Sequence, residues 1–520
     1  MTGQDTRVGL RPAAPYGPRW QALGRRLDDA AAELAAGRVA GAEAILAELR
    51  HATEGCDDGE GRDLRARALH LLAMAADDRG DLAAALTLAD ESLAVGGATT
   101  RAATLVNRAQ TLERLGRSTD ALRDLDAAAA AADPTGEPPA VLVFALHNSR
   151  GVSLLSLGRA QEAEAALHHA LAVAQEREPG LAGHAHANLA ALATRLGDDD
   201  AAAQQLGLAA ELHSLTGDAA AHALARENLA RQALRRGDLA AAEGGFTAAQ
   251  EAYQRLGRIL DVAGCQVGRA AVALRRGRPG AAQRWLSAAV TVLSDAGDAA
   301  QLTECLLLQG DLTTVVQGFA AGEGVYLAAR ERCERLSLRH EVARVDVRRA
   351  MIVAASTRIT PRRKERTRRR EAALGLALPA ALATDAIRYG FAAGPVRERW
   401  AGTVAAPALT LAFELVTKLG WTQLAFELVE HAAASATLTP SAESHRLLDA
   451  DDAFAEHAWA ALTDAATEGP GFVAPDPDRL ALPPRLRMLP SGGGVLDGFI
   501  DAAEERYGFP VRSAEVVPAW

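Results

Sequence analysis

A glycine-centred phrase recurs about every forty residues through the first two thirds of the chain, and this period constrains the fold more than any other feature. The phrase is centred on Gly37, Gly80, Gly116, Gly158, Gly197, Gly237 and Gly277. Successive glycines are 43, 36, 42, 39, 40 and 40 residues apart. Such a period indicates an array of supersecondary units that stack to bury a shared core.

Small residues occupy fixed positions around each glycine. Alanine stands five residues after it, at Ala42, Ala85, Ala121, Ala163, Ala202, Ala242 and Ala282. A small residue stands seven before it, at Ala30, Ala73, Ala109, Gly151, Ala190, Ala230 and Ala270. Twelve residues after it, the residues are Leu49, Ser92, Ala128, Ala170, Ala209, Ala249 and Ala289, of which only the leucine is large. This pattern predicts helices that cross too closely for larger side chains.

The segments on either side of each glycine have apolar residues at helical spacing, as at Leu69, Leu72, Ala73 and Ala76 before Gly80. Glycine readily adopts the left-handed conformation that ends a helix and lets the chain reverse. Each unit is therefore predicted to be a helical hairpin. Because one hairpin exposes apolar surface on both sides, neighbouring hairpins must stack into a solenoid.

This pattern resembles the tetratricopeptide repeat (TPR), whose second helix begins after a glycine and has alanine five and twelve residues on, with a small residue seven before. The resemblance covers roughly residues 22–355, in units averaging about 40 residues rather than the family's 34, as in the kinesin-light-chain branch. An eighth unit around Gly318 is degenerate, with Glu323 where alanine is expected. The resemblance implies an all-α, right-handed superhelical solenoid that binds a protein or peptide in its concave groove.

The predicted organisation has five parts. Residues 1–21 form an irregular N-terminal segment, 22–355 the solenoid of about eight hairpins, and 356–371 a basic linker. Residues 372–440 form a helical block that includes a hairpin about Gly420. Residues 441–520 are mixed helical and rich in Pro and Gly, with helices expected at 449–466 and 495–507.

The C-terminal third resembles the helical segment that precedes a caspase-like CHAT peptidase domain in actinobacterial TPR proteins. The resemblance is carried by RYGFAAGPVRERWAGTVAAPALTLAFELV, LPPRLRMLPSGG and AAEERYGFPVRSAEVVPAW. Such peptidases use a His and Cys dyad, but no cysteine follows Cys333. The resemblance therefore implies a relative without the peptidase domain, whose partner is a caspase-like peptidase in a bacterial defence or signalling system.

Composition and motifs exclude several classes of function. The formal net charge of −10 argues against a general polyanion binder. We find no phosphate-binding loop, nucleophile motif or metal-ligand spacing, since His184 and His186 lack both further ligands and an i, i+4 spacing. The four cysteines are scattered, as in a reducing compartment. With no signal peptide and no apolar window of membrane-spanning length, we expect a cytoplasmic protein that is not an enzyme and uses no metal or cofactor.

Repeated polar residues are the candidates for binding. Asparagine stands nine residues before the glycine at Asn107, Asn188 and Asn228, and arginine stands two before it at Arg114, Arg195, Arg235 and Arg275. Asparagine is unfavourable inside a helix, so it is expected to bond either a neighbouring repeat or a bound peptide. The arginines either stabilise a helix C-terminus or line the groove as a ladder for a carboxylate-bearing peptide.

One strongly basic segment, termed here the basic run, follows the array and comprises Arg362, Arg363, Lys364, Arg366, Arg368, Arg369 and Arg370. It is either a solvated surface or a contact for nucleic acid or an acidic partner. Two functions follow. The first is an adaptor or sensor that binds a protein segment in the groove. The alternative is a ligand- or peptide-sensing transcriptional regulator that contacts nucleic acid through the basic run.

Overall fold

The computed structural model describes residues 8, 16–132, 138–157, 159–335, 339–390, 395–436, 485–487, 494–508, 510–512 and 516–518. Over these residues the chain is an all-α solenoid of helical hairpins, as predicted. It divides into two compact units. The N-terminal unit comprises Met1–Ser156, Ala160–Thr194 and Asp199–Cys305, and the C-terminal unit comprises Leu157–Arg159, Arg195–Asp198 and Leu306–Trp520.

Seven hairpins make up the array around the seven predicted glycines. Their first helices are α1 (Gln21–Ala35), α3 (Gly59–Asp78), α5 (Ala98–Arg114), α7 (Ala140–Ser156), α9 (Ala182–Arg195), α11 (Ala219–Arg235) and α13 (Ile259–Arg275). Their second helices are α2 (Val39–Ala52), α4 (Leu82–Val95), α6 (Ser118–Ala131), α8 (Ala160–Arg177), α10 (Asp199–Thr216), α12 (Leu239–Arg255) and α14 (Pro279–Ala296). A short 3-10 turn, Pro179–Leu181, precedes α9.

The hairpin glycines adopt the left-handed conformation that the sequence predicts. Their φ angles are 74° at Gly37, 77° at Gly80, 74° at Gly116, 72° at Gly197, 81° at Gly237 and 65° at Gly277. The remaining one, Gly158, lies outside the described residues. A side chain with a Cβ is strained at these angles, so glycine ends each first helix and lets the second begin two residues later.

The small residues of the repeat lie where two helices of a hairpin cross. All seven alanines five residues after the glycine are at most 2% exposed. At Gly151 an added Cβ would lie 2.6 Å from Leu167 Cγ, and at Gly245 it would lie 2.8 Å from Ala230 Cβ. These crossings leave no room for a larger residue, which explains the pattern in the sequence.

Turns that are far apart in the sequence meet inside the N-terminal unit. A Cβ at Gly37 would lie 3.2 Å from Leu256 Cδ2, and a Cβ at Gly80 would lie 3.0 Å from Leu260 Cγ. The turns of the first two hairpins therefore contact the junction between α12 and α13.

The C-terminal unit continues the helical series. The boundary between the units falls inside α15 (Ala299–Gln317), which is followed by α16 (Phe319–Arg335), α17 (Arg339–Ser356), α18 (Arg363–Ala386), α19 (Pro395–Arg399), a π-helical turn (Trp400–Ala405), α20 (Ala406–Leu419), α21 (Thr422–Ala436) and α22 (Val495–Tyr507). The 3-10 turns are Thr357–Ile359 and Ile387–Gly390. Two short strands, β1 (Arg485–Arg487) and β2 (Val516–Pro518), pair in parallel. The helix expected at 449–466 lies outside the described residues.

Buried polar contacts fix the last helix of this unit. Tyr507 donates its hydroxyl hydrogen to Asp346 of α17 at 3.1 Å, and the N–H of Leu496 donates to Glu427 of α21 at 2.7 Å. Trp400 donates from Nε1 to the carbonyl of Thr384 at 3.0 Å. The contacts of Tyr507 and Leu496 join α22 to helices that are 161 and 69 residues away in the sequence, so α22 belongs to the core of the C-terminal unit.

Two expectations about this region differ from the structure. The basic run is helical from Arg363 onward rather than a linker, because Arg, Lys and Glu are strong helix formers and Glu365 pairs with Arg369 at 3.1 Å.

The second expectation is that the sequence contains no apolar stretch long enough to span a membrane. One helical stretch among the described residues, Arg397–Leu419, has that length and a mean hydropathy of 1.3, because the π-helical turn joins α19 to α20. A core helix gives the same signal, so this stretch assigns no membrane location.

Candidate functional site

From the second hairpin onward, the first helix of each hairpin is more deeply buried than the second helix. In one hairpin, α13 has eleven buried residues and α14 has four. The first helices therefore form the inner layer of the N-terminal unit, and polar side chains on them are removed from water. Because a buried polar group needs a hydrogen-bond partner, the partners of these side chains indicate what the inner layer binds.

The main chain of the N-terminal segment is bonded by side chains of this inner layer. Asn107 of α5 accepts the N–H of Val8 at 3.0 Å through Oδ1 and donates from Nδ2 to the carbonyl of Val8 at 3.4 Å. His70 of α3 lies with Nε2 3.0 Å from the same carbonyl oxygen. Val8 is 4% exposed and His70 is 1% exposed. One residue outside the hairpins, Val8, is thus bonded at both of its main-chain polar groups.

The bonding pattern fixes the tautomer of His70. A carbonyl oxygen only accepts, so the proton of the neutral ring is on Nε2, which faces Val8. Nδ1 lies 3.0 Å from the hydroxyl oxygen of Thr104, whose hydrogen is donated to the carbonyl of Thr100 at 2.8 Å. Burial lowers the pKa of His70 to about 4, against a weaker opposing effect of the bond to Val8, so the ring is neutral at physiological pH. His70 is therefore a fixed donor aimed at a main-chain carbonyl.

Polar contacts also anchor the chain just after this segment. Tyr16 donates its hydroxyl hydrogen to Asp63 at 2.8 Å, and the N–H of Gly17 donates to Glu60 at 3.1 Å. Trp20, which is 5% exposed, donates from Nε1 to Asp58 at 2.9 Å. All three acceptors lie at or near the first two turns of α3, while His70 lies two turns further along that helix. The chain is therefore fixed within eight residues of Val8.

The other two asparagines of the repeated position have different surroundings. Asn188 donates to Oδ1 of Asn148 in the preceding repeat at 2.8 Å. Asn228 is 4% exposed on α11. Of the three predicted asparagines, Asn107 is the one that the structure places against main chain from outside the hairpins.

The repeated arginines contact the preceding repeat. Arg235 donates to the hydroxyl of Thr194 at 3.3 Å and lies 3.5 Å from Asp199, and Arg275 donates to the carbonyl of Leu234.

Arg114 is 3% exposed and lies 3.7 Å from Asp77 of α3. Arg195 is half-buried at the end of α9. The contacts of Arg114, Arg235 and Arg275 each join successive hairpins.

Other titratable groups of the inner layer are held in unreactive states. Arg231 donates to Glu227 at 2.6 Å, and Tyr253 donates to the same carboxylate at 3.2 Å. Burial raises the pKa of the Cys265 thiol well above its usual value and that of Cys305 to about 12. Because the thiolate is the nucleophile, neither cysteine is activated for covalent chemistry.

The histidines that the sequence considered as metal ligands lie in ring contacts and hydrogen bonds. His184 and His213 pack edge to face with ring centroids 4.7 Å apart, and His186 lies 2.7 Å from Oε1 of Gln205. Over the described part of the chain, no group of three or more His, Cys, Asp or Glu side chains is placed to hold a metal ion.

The basic run divides into exposed and bonded side chains. Arg366 donates to the carbonyl of Thr360 at 3.1 Å, Arg369 to Ser356 at 3.2 Å and Arg370 to the carbonyl of Lys418 at 3.3 Å. The remaining members, Arg362, Arg363, Lys364 and Arg368, are exposed. These four cations, named here the exposed cations, are the part of the run that is open to a partner.

The hairpins, their left-handed glycines and their buried small residues define the class of the protein as a helical-repeat solenoid of the TPR type. No protein-family model matches the sequence. No curated protein matches it either.

Among solved structures, the chain is similar to a Rap protein complexed with Competence and Sporulation Factor, at 14% identity over 62% of this chain and 95% of that chain, with a TM-score of 0.43. It is similar to the apo form of the quorum sensor NprR from B. thuringiensis, at 13% identity over 69% and 99% of the two chains, with a TM-score of 0.42. A tetratricopeptide repeat protein from Parabacteroides merdae is 16% identical over 51% and 93%, with a TM-score of 0.30. All three TM-scores are below 0.5, so no function is inferred from the similarity.

Proposed function

We propose that this chain is a non-catalytic adaptor or sensor of the cytoplasm, whose inner helices bind a segment of another protein in extended form. The observation that supports this proposal is the pair of bonds between Asn107 and the main chain of Val8, with His70 as a second donor. An extended segment presents an unpaired N–H and C=O at each residue, and burial requires partners for both. An asparagine amide supplies one acceptor and one donor with the matching geometry.

The hydrogen-bond energy of this site is too small to bind a ligand tightly without further contacts. Each of the three hydrogen bonds contributes roughly 0.5–1.5 kcal/mol, so together they contribute about 1.5–4.5 kcal/mol, which corresponds to a dissociation constant of about 0.5 to 80 mM. A ligand with useful affinity must therefore contact more of the inner layer. We propose Arg235 and Arg275, which are half-buried in the N-terminal unit, as the positions along which those contacts extend, whereas Asn188, Asn228 and Arg114 are 2–4% exposed and lie inside the helix packing.

The partner class that we propose is a protein, and the sequence resemblance of the C-terminal third adds a caspase-like peptidase as a specific candidate. That candidate rests on the resemblance alone. Co-purification of the full chain with such a peptidase from the same genome is its test, and a peptidase that elutes separately from the chain would exclude it.

Comparative affinity capture from native extract tests the function. The full chain and its Asn107→Ala variant are used as baits with nuclease treatment, and bound proteins are quantified by mass spectrometry. The control is Thr87→Ala, an exposed position on the outer helix α4. We expect a set of proteins that Asn107→Ala loses and the control retains. A partner set that is identical for all three baits would contradict the proposal.

A regulator that contacts nucleic acid is the second candidate, and the exposed cations at the start of α18 favour it. Phosphate contacts lose affinity steeply as salt rises, whereas main-chain hydrogen bonds and apolar contacts lose little. Replacement of the four exposed cations by glutamine should abolish nucleic-acid binding under this alternative and leave peptide binding unchanged.

A further inference from the structure

The segment that contains Val8 belongs to this chain, and this has a consequence for any external ligand. The N–H and C=O of Val8 take up the acceptor and the donor of Asn107 and the Nε2 proton of His70. These are the same three groups that the proposed function assigns to a bound partner. An external segment and Val8 cannot both use them.

We propose that the N-terminal segment at Val8 is a built-in occupant of the Asn107 and His70 site, and that a partner binds there only by displacing it. This inference rests on the proposed function. It adds the identity of the resident ligand and a means of regulation, because whatever draws the segment away opens the site.

Because the segment is covalently attached, even a weak interaction lets it occupy the site in many molecules. Tyr16 and Gly17 fix the chain to Asp63 and Glu60 of α3, eight residues beyond Val8. A short tether of this kind gives an effective concentration in the millimolar range, on the order of the dissociation constant of the three bonds themselves. The segment therefore occupies the site in a large fraction of molecules and still releases it readily. A ligand with further contacts displaces it.

The test uses full-length chains and a defined probe, a fluorescein-labelled peptide with the sequence of residues 2–15. Val8→Pro removes the N–H that Asn107 accepts and keeps the rest of the chain, whereas Val8→Ala keeps the main chain and serves as the matched control. Fluorescence anisotropy measures the binding of the probe to each chain. Because the effective concentration of the tethered segment is about equal to its dissociation constant, we expect Val8→Pro to bind the probe about twofold more tightly than wild type, and Val8→Ala to resemble wild type.

A double variant, a probe with proline and a proteolysis measurement distinguish the possible outcomes. Val8→Pro combined with Asn107→Ala should lose the gain in binding, as should a probe with proline at the position of Val8. Trypsin cleavage after Arg7 reports occupancy without any external ligand, and we expect it to be slower in wild type than in Asn107→Ala.

If trypsin cleaves after Arg7 at equal rates in wild type and Asn107→Ala, the segment at Val8 does not occupy the site and the inference is wrong. The capture experiment would still decide the proposed function. If cleavage is slow in wild type but the probe binds wild type and Val8→Pro with equal affinity, Val8 and the probe do not compete for the site and the inference is wrong. Slow cleavage in wild type together with Asn107-dependent probe binding to Val8→Pro would support it.

Discussion

Two adjacent glycines of α12 differ in their surroundings and provide a test of the hairpin packing. A Cβ added at Gly245 would lie 2.8 Å from Cβ of Ala230 and 3.4 Å from the carbonyl oxygen of Arg226. A Cβ added at Gly244 would meet no atom within 4 Å. Both residues lie in the interior of the same helix, so replacement by alanine gives both the same gain in helix propensity.

The expected effects have opposite signs. Gly244→Ala should stabilise the N-terminal unit by about 0.5–1 kcal/mol, because alanine loses less backbone entropy on folding. Gly245→Ala has the same gain but forces α11 and α12 apart, and overpacking of this kind costs about 1–3 kcal/mol. Gly245→Ala should therefore be less stable than Gly244→Ala by about 1–3 kcal/mol. Urea unfolding followed by circular dichroism compares the two variants. Equal stabilities would refute the close crossing of α11 and α12.

Three further predictions concern the inner layer and the basic run. Because burial lowers the pKa of His70 from 6.5 to about 4, the unfolded chain binds more protons between these pH values, and stability should fall by up to about 3 kcal/mol as pH drops through them. His70→Gln should make thermal unfolding less dependent on pH in that window; an unchanged dependence would contradict the assignment. Tyr253→Phe removes a hydrogen bond to Glu227 and should cost about 1 kcal/mol in urea unfolding, with no loss arguing against the bond. Glutamine in place of the exposed cations should leave the anisotropy of the residue 2–15 probe on Val8→Pro unchanged, and weaker probe binding would place the basic run in the peptide site.

The array was predictable because its packing is periodic. Left-handed glycines recur at all the hairpin turns that the structure describes, and small residues recur at crossings such as Ala242, so one pattern in the sequence specifies seven hairpins. The helical state of the basic run was missed because a dense run of like charges resembles a solvated linker. The helix propensity of Arg, Lys and Glu and the ion pair between Glu365 and Arg369 favour the helix instead.

The site was only partly predictable. Asn107 stands out in the sequence because an asparagine inside a helix needs a partner. His70 has no equivalent in the other units, and Val8 is 99 residues from Asn107, so no spacing in the sequence connects them. The arginines contact residues 41 positions earlier, which is one repeat. Repetition alone could not separate that contact from a role in ligand binding.

Hydrogen exchange at the N-terminus tests the central claim that the inner helices bind extended main chain through Asn107. Mass spectrometry follows the peptide that contains Val8 in wild type, Asn107→Ala and Asn188→Ala. The last is a control, because it removes an asparagine contact at the same repeat position in another hairpin. Because the segment occupies the site in about half of the molecules, exchange of the Val8 amide in Asn107→Ala should be about twofold faster than in wild type, with Asn188→Ala unchanged. Equal exchange in all three chains would contradict the account.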